Sequence, residues 1–576
     1  MPLSLLFLAF LAVLVPLYFL LPRRIQWLIL LVGSIVFYAF SGWQNLCVLI
    51  ALTILTYTFG RLLGRSIDRQ NATLDQHRAD GSWDKPTRKA FRDRCVTRRK
   101  WLLAAALAAD LSLLVFLKYT AFFVRTWNDL TGLGARVPSL LLPLGLSYVT
   151  FSAISYLIDV SRGQQPCEKN PLRFALFTFY FPQMWQGPIN RYGELAPALF
   201  APHAFDGMRV MRGALRALWG GVKKLVIADT TAIAVTAIMQ SPADFGGTGV
   251  ILLVLLYSVQ IYADFTGGMD VCLGVSSALG IDLYENFDRP FGSSSLAEYW
   301  RRWHRSMGRF FTDYVFYPLS LSRFSQKLSR LSRRLPLWIA TLVTWALTGL
   351  WHGAGWNFVV WGLCNGVFML ISQELRPLRR RLGERFPRAA GSRCLHALCC
   401  VGTFCTVGLF RTLDIYRGVG LTFSLWGKLF TPTAWKGLVD GALWSALDMN
   451  VAQWGLVALG VLLMWAVSRR TPRVGDTNGT SLGERLVRRP LLCAIVCALM
   501  VVAIVVFGRY GLGYDAMDFI YCQYCYLIER RTGNEKNKMD LGRCDLRYAE
   551  CAAAWRGAGV ARSSRSRGQS RSLFAC

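Results

Sequence analysis

Long apolar runs separated by short basic segments set the pattern of this chain. Apolar runs occupy residues 3–21, 25–40, 46–63, 101–123, 140–160, 211–239, 249–265, 335–350, 358–371, 394–410, 443–467 and 491–507, with a weaker one at 419–430. Most are as long as a bilayer-crossing helix requires, and they lack the one-sided polarity of a helix that faces water. The pattern predicts an all-α, polytopic membrane protein with about 11–13 membrane helices. The first run has neither a basic leader nor a small-residue cleavage site, so it is expected to stay as a helix rather than be removed as a signal peptide.

Three stretches break the pattern. FPQMWQGPINR at 181–191 puts two prolines and a glycine among amides. Such broken helices are tolerated in a membrane only where the freed backbone faces protein or a watery cavity. QIYADFTGGMD at 260–270 sets Gln260, Asp264 and Asp270 beside apolar residues, where a carboxylate is costly unless it lines a cavity. For Asp270 an interfacial helix end is an equal alternative. The third stretch, 285–318, is too charged to cross and is expected to be re-entrant or interfacial. Ser294 or Ser295 is placed to cap a helix there. Helical spacing puts Trp300, His304 and Gly308 on one face, and Arg301 and Arg305 on another.

These breaks frame TGLWHGAGWN at 348–357, which sets His352 between two apolar runs with Trp351, Trp356 and Asn357 around it. An intramembrane histidine is a site hypothesis by default; the bland alternative is a hydrogen-bonded packing residue near a helix end. The expected interior lining is Gln186, Asn190, Gln260, Asp264, Trp300, Trp351, Trp356 and Asn357, around His304 and His352. Re-entrant elements would then surround a central channel.

Charge decides the orientation. The chain has 65 Lys and Arg against 34 Asp and Glu, a formal net charge of +31, and the basic residues gather at 61–100, 323–334, 376–393 and 469–489. By the positive-inside rule these are cytoplasmic loops, which places the N-terminus outside, His304 nearer the cytoplasm, and His352 deep or toward the far side. No nucleic-acid partner is expected, because no binding module accompanies the charge. Composition agrees with a membrane protein: 53% hydrophobic, 17% charged and a mean hydropathy of +0.34, against about a quarter charged for a soluble domain. Most of the sixteen cysteines lie inside apolar runs, where they act as small hydrophobes, and no disulfide framework is legible. Cys522, Cys525, Cys544 and Cys551 are poorly spaced for zinc, and no metal site is predicted. The basic segment 527–576 is expected to be disordered, leaving 1–526 as the membrane domain. The absence of internal repeats disfavours the common transporter plans.

Four blocks resemble the membrane-bound O-acyltransferases: PLGLSYVTFSAISYLIDVSRG, FPQMWQGPINR, the 257–318 region with EYWRRWH, and LTGLWHGAGWNFVVWG. The resemblance covers most of 1–526 and is nearest the bacterial branch that serves alginate O-acetylation and teichoic-acid D-alanylation. It implies that His352 is the family's invariant histidine and His304 its second position. Thr266, where serine is usual, and 307–309 depart from the pattern and weaken any claim on the substrate. The implied reaction moves an acyl group, acetyl first, from a cytoplasmic thioester (acetyl-CoA or an acyl carrier protein) to an extracytoplasmic polysaccharide hydroxyl. No cofactor is bound. D-alanyl transfer to teichoic acid is the alternative within the class, and a non-enzymatic transporter the alternative outside it. His352 would act as base or as acyl carrier, while Trp351, Trp356 and Asn357 would shape the pocket and supply donors. Arg301, Arg302 and Arg305 would meet the donor's phosphates or anchor the interface. The expected location is the cytoplasmic membrane among its lipids, with an esterase-like extracytoplasmic partner.

Overall fold

The computed structural model describes residues 5–140, 142–184, 186–416, 418–476 and 480–510, less the side chains of 433, 434 and 442. The 527–576 segment and the cysteines at 522, 525, 544 and 551 lie outside the described residues. Every regular element among the described residues is helical. Six helices are long and apolar enough to cross a membrane: Trp43–Ala79, Lys85–Thr131, Pro242–Ala278, Arg393–Tyr416, Val451–Arg470 and Pro490–Phe507. The bent pair Trp356–Glu374 and Arg376–Arg385 makes a seventh if counted as one span, and Leu5–Leu20 and Leu146–Ser161 are shorter apolar helices. The chain is a polytopic, all-α membrane protein.

The basic connection at 64–100 differs from its expected form as a loop. Both flanking helices run on through it, so that Trp43–Ala79 and Lys85–Thr131 form a hairpin with its turn at 80–84. Its residues are polar, but Arg, Lys, Leu and Gln are strong helix formers. Asp84 caps the second arm by accepting from the Thr87 N–H at 2.9 Å, which holds its carboxyl below the usual range. His77 stacks on Trp83 at 3.8 Å, and Trp83 meets Phe91, which closes the turn.

The prolines and glycine at 181–191 break the chain as expected. Pro171–Phe179 and Tyr192–Phe200 are separated by the short helix Phe181–Met184 and an irregular segment at 186–191. Gly145, at φ 72°, starts the Leu146–Ser161 helix; a Cβ there would stand 2.0 Å from the Met184 carbonyl, so no other residue fits this turn.

Gly207–Gly221 packs along Pro242–Ala278 with almost no side chain between them. A Cβ on Gly213 would meet the Gly274 carbonyl at 2.4 Å, and one on Gly220 the Gly267 carbonyl at 2.5 Å. Small residues at such crossings let membrane helices approach closely. A π-helical segment at Val222–Ala228 follows, before Asp229–Gln240 continues. It carries Lys223 and Lys224 inward, where they are 5% and 3% exposed. Lys224 Nζ donates to Asp264 at 2.7 Å and pairs with Asp229 at 2.9 Å. Lys223 donates to Asp270 at 2.6 Å and to Thr266 at 2.9 Å. Arg216 joins Asp270 (2.9 Å) to Glu285, which it grips with both terminal nitrogens at 2.6 and 2.8 Å. Asp270 is thus a partly buried ion-pair partner of Lys223 and Arg216.

Leu335–His352 and Trp356–Glu374 cross in the same close manner. A Cβ on Gly349 would lie 2.2 Å from the Phe358 carbonyl, and one on Gly362 2.2 Å from the Trp345 carbonyl. Gly362→Ala is expected to force this pair apart and lower stability by about 1–3 kcal/mol, as overpacking does. Thermal unfolding in detergent micelles checks this; an unchanged midpoint would mean that the helices separate without loss.

Candidate active site

The site is assembled where two breaks in helical structure meet. The first is the C-terminal end of Leu335–His352, whose last carbonyls lack partners within the helix. Two neighbours on Lys85–Thr131 supply them: Lys118 Nζ donates to the Trp351 carbonyl, and Tyr119 Oη donates to the Leu350 carbonyl at 2.8 Å. A cation at a helix C-terminus also opposes the negative end of the dipole. His352 is thus set by a capped helix end and is 8% exposed. Sequence reading passed over Lys118; its signal was one lysine within the apolar run 101–123.

The second break is at His304. The expected continuous helix does not form: Leu296–Arg302 ends, Trp303 is extended, and Arg305–Phe311 begins anew. Trp300, His304 and Gly308 therefore do not line one helical face. His304 has φ 48°, an uncommon backbone conformation for a residue with a side chain. Cross-bonds hold it there, with the Asp288 N–H on the Arg302 carbonyl and the Arg305 N–H on the Asn286 carbonyl, both at 3.0 Å. Ser295 does cap the preceding helix, by accepting from the Glu298 N–H.

Asn286, which sequence reading also missed, fixes the ring. It is fully buried, and its Oδ1 accepts from the Ser306 N–H at 2.9 Å. The amide also meets His304 Nδ1, with its Nδ2 at 3.1 Å and its Oδ1 at 3.3 Å from that nitrogen. Asn286 follows Glu285, where the ion-pair chain ends, so the network anchors the loop that orients His304. Asn286→Leu is expected to strip both polar partners of their bond and lower stability by about 1–3 kcal/mol. Asn286→Asp, which keeps the acceptor for Ser306, should recover part of the loss. Paired melting curves decide the point, and equal midpoints for the two variants would contradict it.

The two imidazoles meet around one indole. Trp351 has His352 at 5.0 Å and His304 at 5.7 Å, between ring centroids. Tyr148 stands edge-on to the same indole at 5.5 Å, and Phe151 stacks on it at 5.5 Å. Trp361 packs on His352 at 4.8 Å and in turn on Trp300 at 5.6 Å, whose Nε1 donates to Asn365. Phe265 packs edge-on to His304 at 4.9 Å. Arg411 lies 4.2 Å over the Trp303 ring and donates to Tyr299 Oη at 2.9 Å.

The other predicted residues occupy varied positions. Asn357 is buried and donates to the Leu413 carbonyl at 2.9 Å, whereas Trp356 is 56% exposed and bonds Thr126. Asp264 is committed to Lys224. Asn190 accepts from the Tyr284 N–H at 3.2 Å and donates to Gln183 and to the Pro188 carbonyl. Gln186, fully buried, has both amide atoms without a hydrogen-bond partner among the described residues, as has the Oε1 of Gln260. Arg302 pairs with Glu298 at 2.6 Å and Arg305 donates to the Glu285 carbonyl, while Arg301 is exposed. Among the described residues, no three His, Cys, Asp or Glu side chains gather as metal ligands.

Comparison with known proteins gives this geometry a chemical context. Residues 164–406 match the model of the membrane-bound O-acyltransferase family, a span that contains both histidines. The chain is 33% identical over 373 residues to the probable alginate O-acetylase of Azotobacter vinelandii, covering 64% of this chain and 67% of the relative. It is 29% identical to a peptidoglycan O-acetyltransferase of Helicobacter pylori, covering 50% of this chain and 58% of that protein. With a teichoic acid D-alanyltransferase of Bacillus subtilis the figures are 30%, 39% and 58%. The matches thus span about two thirds or less of the length of these relatives.

Proposed function

The chain belongs to the membrane-bound O-acyltransferase family, and we propose that it passes an acetyl group from a cytoplasmic thioester across the cytoplasmic membrane, for O-acylation of an exported or cell-envelope polysaccharide. The observation that carries this reading is the convergence of His304 and His352 on the Trp351 indole within a buried aromatic cluster. Acyl transfer to a hydroxyl needs a base within the site, and a neutral imidazole suits that task. His352, set by the capped helix end, takes the hydroxyl proton; His304, held by Asn286, is the second imidazole of the pair. Gln186 and Gln260 supply amides to the acceptor's path. Arg301, exposed beside the Arg302 ion pair with Glu298 and the Arg305 bond to the Glu285 carbonyl, faces the donor's phosphates. The donor is acetyl-CoA or a carrier-protein thioester, no cofactor resides in the protein, and an esterase-like extracytoplasmic partner completes delivery.

D-alanyl transfer is the second reading, supported by the similarity to a teichoic acid D-alanyltransferase. A comparison of donors separates the two. The full chain in liposomes is offered labelled acetyl-CoA or a D-alanyl carrier-protein thioester. Consumption of the first alone is expected; consumption of the second alone would favour D-alanylation. Solute flux without loss of either thioester would make the protein a transporter.

A further inference from the structure

We infer that the indole N–H of Trp351 is the donor that stabilises the oxyanion formed during acyl transfer, a role that rests on the acyltransferase reading above.

Three donors surround His352 in its sequence motif, and the structure separates them. The amide of Asn357 is engaged with the Leu413 carbonyl. The indole of Trp356 is more than half exposed and engaged with Thr126. Trp351 is 5% exposed, and its buried Nε1 has no acceptor among the described residues. A buried indole N–H ordinarily finds an acceptor, so this one is aimed where an acceptor arrives with the substrate.

Its surroundings suit the role. Tyr148 and Phe151 fix the ring, and both imidazoles lie within 6 Å of its centroid, at 5.0 and 5.7 Å. Lys118 Nζ is 5.9 Å from the centroid while it holds the Trp351 carbonyl. A cation near the ring draws electron density from it and strengthens the N–H as a donor. A donor already oriented in a water-poor pocket needs no reorganisation when charge develops.

The step balances as follows. The acceptor hydroxyl oxygen bonds to the thioester carbonyl carbon while its proton passes to the His352 imidazole. The carbonyl π pair moves onto oxygen, and that oxyanion accepts the Trp351 N–H. On collapse the C=O re-forms, the C–S bond breaks, and the imidazolium proton goes to the leaving thiolate.

The test replaces Trp351 in the full chain with benzothienylalanine, in which sulfur stands in place of the N–H and the ring keeps its size. Trp351→Phe is the conventional companion. In liposomes with labelled acetyl-CoA, kcat is expected to fall about 10²- to 10³-fold, with KM within about two-fold and the melting temperature unchanged for the isostere. A benzothienylalanine protein with kcat within about two-fold of wild type would overturn the inference while leaving the acyltransferase reading intact. A wild-type protein that transfers no label would overturn that reading, and the inference with it.

Discussion

Lys224→Met is expected to be the most destabilising single substitution in the membrane domain, lowering stability by about 3–5 kcal/mol. One ammonium faces two carboxylates there, Asp264 at 2.7 Å and Asp229 at 2.9 Å, and all three groups are 4% exposed or less. Methionine matches the length of the lysine stem but removes the ammonium that both buried acids share. Removing one partner from such a cluster is far more damaging than never having built it, because the remaining charges have lost their water and gained nothing in return. The triple variant Lys224→Met, Asp229→Asn, Asp264→Asn should recover much of the loss, since no ion is then stranded. Melting temperatures of the purified proteins in one detergent check both statements. A Lys224→Met midpoint equal to wild type would mean that the cluster is solvated and not a buried strut.

His352→Ala carries the largest expected effect on chemistry. With the proposed general base gone, acetyl transfer should fall by about 10²- to 10⁴-fold. The fold should survive, because the helix end is fixed by Lys118 and Tyr119 through the carbonyls of Trp351 and Leu350 and not through the imidazole. Turnover of labelled acetyl-CoA by wild type and variant, each with its melting curve, separates lost chemistry from lost structure. Transfer at the wild-type rate would remove His352 from the mechanism.

The membrane class was legible because apolar runs and basic segments act through composition alone, which tertiary contacts do not reverse. The break at 181–191 was legible for a related reason: proline and glycine limit the backbone locally. The hairpin at 64–100 and the break at His304 were harder. In the hairpin, polarity suggested a loop while strong helix propensity won. At His304, regular spacing suggested one helix, but long-range bonds between 286–288 and 302–305 hold the residue in a left-handed turn that no local signal announces. The same limit applies to Lys118, Asn286 and Arg411. Each meets its partner at a distance in sequence, so the sequence displays the residue but not what it binds. The two histidines and Trp351 stood out in the sequence; that both imidazoles share one indole required the fold.

On the proposed function, an acyl group crosses the membrane through this chain in a His352-dependent transfer. Liposomes carrying the full chain, loaded inside with labelled acetyl-CoA and bathed outside in an impermeant polysaccharide, test it most directly. The expected result is labelled acetyl ester on the outer polysaccharide, free coenzyme A retained inside, and only background label with His352→Ala. Intact acetyl-CoA recovered outside, or equal labelling with His352→Ala, would contradict the account.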